Sequence, residues 1–228
     1  MKRTWYTTAK QCTALRKSTL RVDMCVFIDD DQSFTSENVL KSTVKSILAA
    51  AIIKGLDVIG VLSAKNPNVG WIAFQMAIDQ QMDIAVLPGQ VYKCSTGEIL
   101  YIYKMKENVK PGLDLPKACE FAHKLGGYVI ATGLTRNKVT QLDKLQGSGY
   151  APDAVEIYNQ KNGGYRDLNI DFPKFITSAS TSANELEQSN AFTLIERKEA
   201  EKIGLLAPNQ GIDFEPKYLK PKTGVPNA

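Results

Sequence analysis

A single histidine in 228 residues limits the chemistry open to this chain. Hydrolysis at a multi-metal centre needs several imidazoles and carboxylates that converge on one point. His123 cannot supply that set alone. It falls in Ala118-Cys119-Glu120-Phe121-Ala122-His123-Lys124, near the C-terminal end of a helical pattern. A protonated imidazole is favoured there by the helix dipole, so a structural or surface role is expected. Cys12, Cys25, Cys94 and Cys119 show no CxxC spacing, which argues against zinc and thioredoxin-type motifs. Free thiols suit a reducing compartment, the mitochondrial matrix or the cytoplasm. Cys25 stands at a strand end, where a nucleophile would stand, but no histidine neighbours it in sequence, and inert packing is the expectation. The remaining candidates are carboxylates: Asp23, the run Asp29-Asp30-Asp31, and Glu156. Together they could hold one Mg2+ through oxygen alone. The simpler account makes the Asp run a solvated turn and Glu156 a hydrogen-bond acceptor that braces strand-end loops. No residue is therefore assigned as catalytic, cofactor-binding or metal-ligating.

Elements that alternate between strand and helix must position these residues. Arg21 to Ile28 reads as a strand with Leu20, Val22, Met24 and Val26 on one face. Leu40, Val44, Ile47, Leu48 and Ala51 recur at helical spacing after the hydroxyl cap Thr35-Ser36, and Gly55 is a helix stop. Val58 to Leu62 is a continuous apolar run, as in a strand buried on both faces. Trp71 to Asp79 is a helix and Ile84 to Leu87 a strand closed by Pro88-Gly89. Val91 to Lys93 and Ile99 to Tyr103 flank Ser95-Thr96-Gly97 as a hairpin. Tyr101 and Tyr103 share one face, suited to base stacking or to packing under a helix. Helices are expected at Leu115 to Leu125, Val139 to Leu145, Asn184 to Gln188 and Lys198 to Ile203. Strands are expected at Tyr128 to Ala131, Ala154 to Tyr158, Phe175 to Thr177 and Phe192 to Ile195. Repeated βα units with short connections predict a parallel sheet, and a compact α/β barrel fits better than an open sheet.

Several short segments, in order, resemble the PHP (polymerase and histidinol phosphatase) superfamily from about Val22 to Gly204. The family's first strand ends in Asp-x-His-x-His. Here Asp23 stays, while Cys25 and Phe27 occupy the imidazole positions. Gly55-Leu56-Asp57 matches the approach to the second strand, whose Thr-Asp-His end reads Leu62-Ser63-Ala64. Pro88-Gly89-Gln90 is present, with Val91 at the ligand Glu position. Gly97-Glu98-Ile99-Leu100 and Pro111-Gly112-Leu113 also match. Gly126-Gly127-Tyr128-Val129-Ile130-Ala131 runs into Thr132-Gly133-Leu134 instead of Pro-His-Pro. Asp153-Ala154-Val155-Glu156-Ile157-Tyr158-Asn159 is similar to the family, and Ser178-Ala179-Ser180-Thr181 stands in place of Ser-Asp-Ala-His, with Glu185 following. The resemblance implies a distorted (β/α)7 TIM-like barrel that lacks the metal-ligand histidines. Unused ligand carboxylates repel one another and cost desolvation. Phe27, Ala64, Val91 and Ala179 are the kind of substitutes that remove that cost, and no bound divalent cation and no cofactor are expected.

The net charge of +4 is unevenly placed. Residues 1–21 carry Lys2, Arg3, Lys10, Arg16, Lys17 and Arg21 and no acid, with Trp5 and Tyr6 among them. Three readings stay open: a mitochondrial targeting segment, an arm on nucleic acid, or a solvated tail. Pro216 to Ala228, with three Lys and three Pro, also reads as an extended arm. The expected organisation is a basic arm (1–21), a PHP-like barrel (22–205) and a C-terminal arm (206–228). No apolar run reaches the ~20 residues of a membrane span, so no membrane insertion is expected. The functional expectation is a catalytically inactive subunit of a larger assembly, with protein partners and with RNA or other nucleic acid reached through the arms. A ribonucleoprotein such as an organellar ribosome fits, and a viral particle or respiratory complex fits nearly as well. The alternative is a residual metal-dependent phosphoesterase with a carboxylate site around Asp23, Asp29 and Glu156.

Overall fold

A computed structural model describes residues 18–28, 37–64, 66, 68–105, 107–134, 142, 144–161 and 171–205. Eight strands form one nearly closed, barrel-like sheet: β1 (Thr19–Phe27), β2 (Val58–Ser63), β3 (Ala85–Lys93), β4 (Ile99–Tyr103), β5 (Tyr128–Thr132), β6 (Ala154–Asn159), β7 (Lys174–Thr177) and β8 (Thr193–Glu196). Their order is β7-β6-β5-β4-β3-β2-β1-β8. β1, β2 and β3 are parallel neighbours, as are β5, β6 and β7. The hairpin strand β4 runs antiparallel between the two sets, and β8 runs antiparallel to β1. Five described helices accompany the sheet: α1 (Glu37–Ile53), α2 (Asn68–Asp79), α3 (Leu115–Lys124), α4 (Ala183–Gln188) and α5 (Arg197–Lys202).

The helices form where the apolar spacing says they should. Leu40, Val44, Ile47, Leu48 and Ala51 of α1 are buried against Val26, Ile59, Val61 and Val86 on the outer face of the sheet. Gly55 ends that helix at φ +75°, a backbone state costly for other residues. There its N–H reaches Ile52 O at 2.9 Å and Leu56 N–H reaches Ala51 O at 3.0 Å. α3 starts on Asp114, whose carboxylate accepts from Lys117 N at 3.0 Å. A second layer packs α3 against Leu100, Ile102, Val129, Ala131 and Val155.

Inside the barrel lie Leu20, Val22, Met24, Val58, Leu62, Tyr101, Tyr103, Ile130 and Phe175. The two tyrosines therefore fill the lumen; they neither face solvent for stacking nor pack under a helix. Tyr103 is fully buried and donates its hydroxyl to Met24 O. Its ring explains two glycines. A Cβ at Gly60 would sit 2.6 Å from Tyr103 Cε1, and one at Gly89 2.6 Å from Tyr103 Cδ1. Pro88-Gly89 therefore does not close a strand, as the sequence suggested. β3 runs through it as nine residues, paired with β2 along its first part and with β4 beyond. The face assignment of β1 also needs correction. Its register slips between Asp23 and Val26, so Val26 joins the outer layer while Leu20, Val22 and Met24 point inward. A bulge inserts one residue and reverses the faces beyond it.

The seam between β7 and β1 is closed in two ways. Above, Phe27 N–H donates to Ser180 O at 2.8 Å, with a parallel bridge at Val26 and Ser180. Below, β8 enters, and the Thr193 hydroxyl accepts from Ile176 N at 2.7 Å and donates to Ile176 O at 3.1 Å. Exposed sheet edges invite unwanted pairing, and these contacts cap them. Thr19, Leu20 and Arg21 already belong to this sheet, opposite Glu196, Ile195 and Leu194. Residues 1–17 (with Cys12, Trp5 and Tyr6), Asp29-Asp30-Asp31, the cap Thr35-Ser36, 139–141 and 143 of the expected helix, 162–170 and the arm 206–228 lie outside the described residues. No described helix is long and apolar enough to cross a membrane.

Candidate functional site

In barrels, chemistry gathers where the C-terminal ends of the parallel strands meet. Here the bulge in β1 aims Phe27 into that mouth, edge-on to Tyr101 with ring centroids 5.9 Å apart and planes at 81°. The two rings, with Val91, Ile99 and Ala179, form the apolar wall of a cavity of about 320 Å³. Asn159, Lys161 and Thr181 form its polar side. Three of the four substituted positions singled out in sequence (Phe27, Val91, Ala179) thus converge on one cavity. The fourth, Ala64, is exposed just past β2 and does not line it. Ala179 takes φ +52°, a strained value for a residue with a Cβ.

Below the cavity sits Glu156, buried at 6% exposure. Thr132 Oγ1 donates to its Oε2. Thr177 Oγ1 donates to Oε1 at 2.6 Å and Asn159 Nδ2 at 3.2 Å. β5, β6 and β7 each contribute to this knot, so the carboxylate ties three adjacent strand ends together. Cys25 faces the same region. Burial pushes its thiol well above the usual range, and the nearby Glu156 carboxylate adds to the effect. Burial likewise drives the Tyr101 phenol far upward, and Cys25 is its next largest influence. A thiol in this state is not a nucleophile.

Asp23 lies fully buried beside the bulge. Its Oδ1 accepts from Cys25 N at 3.1 Å and Ser178 N at 3.2 Å, so it pins the loop after β7 to β1. Its Oδ2 meets no hydrogen-bond partner among the described residues. Burial is the main cause that raises this carboxyl to about 6, opposed by the Ser178 and Cys25 hydrogen bonds. Among the described residues, no three His, Cys, Asp or Glu side chains gather as a metal-ligand group.

The other candidates are placed elsewhere. His123 is at the opposite end of the barrel, with Nδ1 2.9 Å from Gly149 O and Nε2 3.1 Å from Asp153 Oδ2. Both partners are acceptors, so the imidazolium form makes both bonds, and the Asp153 hydrogen bond is the main cause of its raised pKa. Cys94 and Cys119, the latter on α3 itself, are buried in the layer between α3 and the sheet. Gln90 turns from the mouth to bond Glu107 O at 3.0 Å and Val109 N at 3.3 Å. Glu185 accepts from Thr181 N at 2.7 Å, the first cause of its lowered pKa, and from Thr181 Oγ1 at 3.0 Å.

Sequence reasoning missed Thr132, Thr177 and Thr181 as parts of the site. A hydroxyl at each strand end was the available signal. In the sequence, Lys161 belongs to the Gly- and Lys-rich stretch Asn159 to Arg166, which reads as an exposed loop able to contact phosphates. No protein-family model matches the chain, and no curated protein matches it.

Proposed function

We propose that this chain is a PHP-type (β/α)7 barrel that has lost metal-dependent hydrolysis and works as a non-catalytic binding or structural subunit of a larger assembly. The observation that carries this reading is the mouth itself: Phe27, Val91 and Ala179 face one cavity at strand ends where a hydrolase needs donors. Support also comes from Glu156, whose oxygens are taken up by two hydroxyls and an amide. That arrangement suits a brace better than a ligand awaiting an ion. On this reading, the basic residues of 1–17 and of 206–228 reach protein or RNA partners in a reducing compartment, the matrix or the cytoplasm. A ribonucleoprotein such as an organellar ribosome is the assembly of choice.

The competing phosphoesterase reading draws on one fact, the unpartnered buried Oδ2 of Asp23. Purified protein assayed with aryl phosphates and Mn2+ separates the two. The subunit reading expects no turnover above the metal blank. Turnover abolished by Glu156→Ala would overturn it in favour of the enzyme.

A further inference from the structure

The mouth cavity is too large to be a packing defect and too well divided to be featureless. Its 320 Å³ equals the liquid volume of roughly ten waters at ~30 Å³ each, which places it at the small end of ligand-sized cavities. One side is apolar: Val91, Ile99, Ala179 and the edge-to-face pair of Phe27 and Tyr101. On the other side, one cation stands among the described residues. Lys161 Nζ donates to Thr181 Oγ1 at 3.3 Å and lies 3.9 Å from Glu185 Oε2. An ammonium has three donors, so this bond leaves it capacity for an incoming anion. Asn159 offers less, because its Nδ2 is committed to Glu156 and its Oδ1 to Lys161 N at 3.1 Å.

We infer that this cavity binds a small monocarboxylate with an apolar body, the carboxylate at the Lys161 ammonium and the body against Phe27, Val91 and Tyr101. The charge balance selects the head group. Lys161 already shares its charge with Glu185 at 3.9 Å, so a singly charged head adds one negative charge there whereas a phosphate dianion adds two. A neutral body is selected by the wall, which offers it no polar partner. The inference goes beyond the proposed subunit role and does not need it: a ligand here is compatible with any partner at the termini.

The test uses the full chain, calorimetry, and three probes: 3-phenylpropionate, 3-phenylpropanamide and phenyl phosphate. The carboxylate should bind saturably with a millimolar or tighter dissociation constant, as expected for so few atoms. The amide should bind at least about tenfold more weakly, and phenyl phosphate no more tightly than the carboxylate. Lys161→Gln should cost about tenfold with the melting temperature unchanged, since that side chain is exposed. Val91→Trp, which fills the cavity, should abolish binding. If that variant does not fold, Ile99→Trp at the exposed rim blocks the same space. No saturable binding by about 10 mM, equal binding of acid and amide, tighter binding of the phosphate, or full binding in the Trp variant would each overturn the inference. None of these results bears on aryl phosphate turnover, so the subunit reading is tested separately.

Discussion

The two ends of the barrel treat charge in opposite ways. At the floor, where the parallel strands begin, charged groups are brackets. Asp57 accepts the Arg21 N–H at 2.8 Å and so joins the start of β2 to β1. Asp153 accepts Val129 N–H at 2.7 Å and holds His123 of α3. Lys104, which burial pulls down to about 8, donates to Gly204 O and lies 5.3 Å above the Tyr128 ring. Each bracket ties a side chain to backbone or to a neighbouring element. At the mouth, the buried carboxylate of Glu156 accepts from the neutral donors of Thr132, Thr177 and Asn159, and the facing positions Phe27, Val91, Tyr101 and Ala179 are aromatic or aliphatic. The floor uses charge as architecture. Among the described residues, the mouth ties Glu156 into neutral hydrogen bonds and holds Lys161 beside Glu185 at the rim. A hydrolase would show the reverse, with charge concentrated where the strands end.

Substitutions can break or sharpen this contrast. The largest effect is expected below the mouth, in the lumen that separates the ends. Gly89→Val places a Cβ 2.6 Å from the Tyr103 ring and 2.8 Å from Leu62 Cδ2. Overpacking there should cost at least about 3 kcal/mol in urea denaturation, or prevent folding. At the mouth, Glu156→Ala strands the donors of Thr132, Thr177 and Asn159 and should cost about 2–3 kcal/mol. A stable variant would mean that the knot is not structural.

Asp23→Asn should act in the other direction. The folded carboxyl titrates near 6, above its ordinary 3.8. Between those values the native state holds a proton that the unfolded state has lost. Stability therefore falls as pH rises from about 4 to about 6, and stays at the lower level above. Removing the charge should raise stability at pH 7 by about 2 kcal/mol and flatten that slope. The smallest effect belongs to His123. Its raised pKa contributes stability fully present below about 6.5 and lost as pH rises through the folded value. His123→Gln should cost about 1 kcal/mol at mildly acidic pH and less in alkali, read as the difference between the two stability profiles.

Much of this layout was written in the residues. The α1 stripe, the Gly55 stop, the hairpin at Ser95-Thr96-Gly97 and the strand β2 follow from spacing alone, because each has one dominant local cause. The errors share a different cause. In a barrel under helices a strand is buried on both faces, so hydrophobicity does not tell lumen from exterior. That hid the bulge at Met24-Cys25 and the inward aim of Tyr101 and Tyr103. Pro88-Gly89 read as punctuation because glycine usually marks a turn. Here Gly89 is needed for the close approach of Tyr103, a residue fourteen positions away whose ring no local pattern announces. The site was half legible. Phe27, Val91 and Ala179 were picked out by type at matched positions, and only the closed sheet brings them together. Lys161 and Thr181 meet across 3.3 Å from separate strand ends, a proximity set by the β6–β7 pairing.

The central claim is that the mouth lacks the donor atoms to grip hydrolytic ions. Calorimetric titration of the intact protein with Mn2+ and Zn2+ tests it most directly. The account predicts no stoichiometric binding at the strand ends, and identical traces for wild type and Glu156→Gln. Tight uptake of two or three ions per chain, lost in Glu156→Gln or Asp23→Asn, would contradict it.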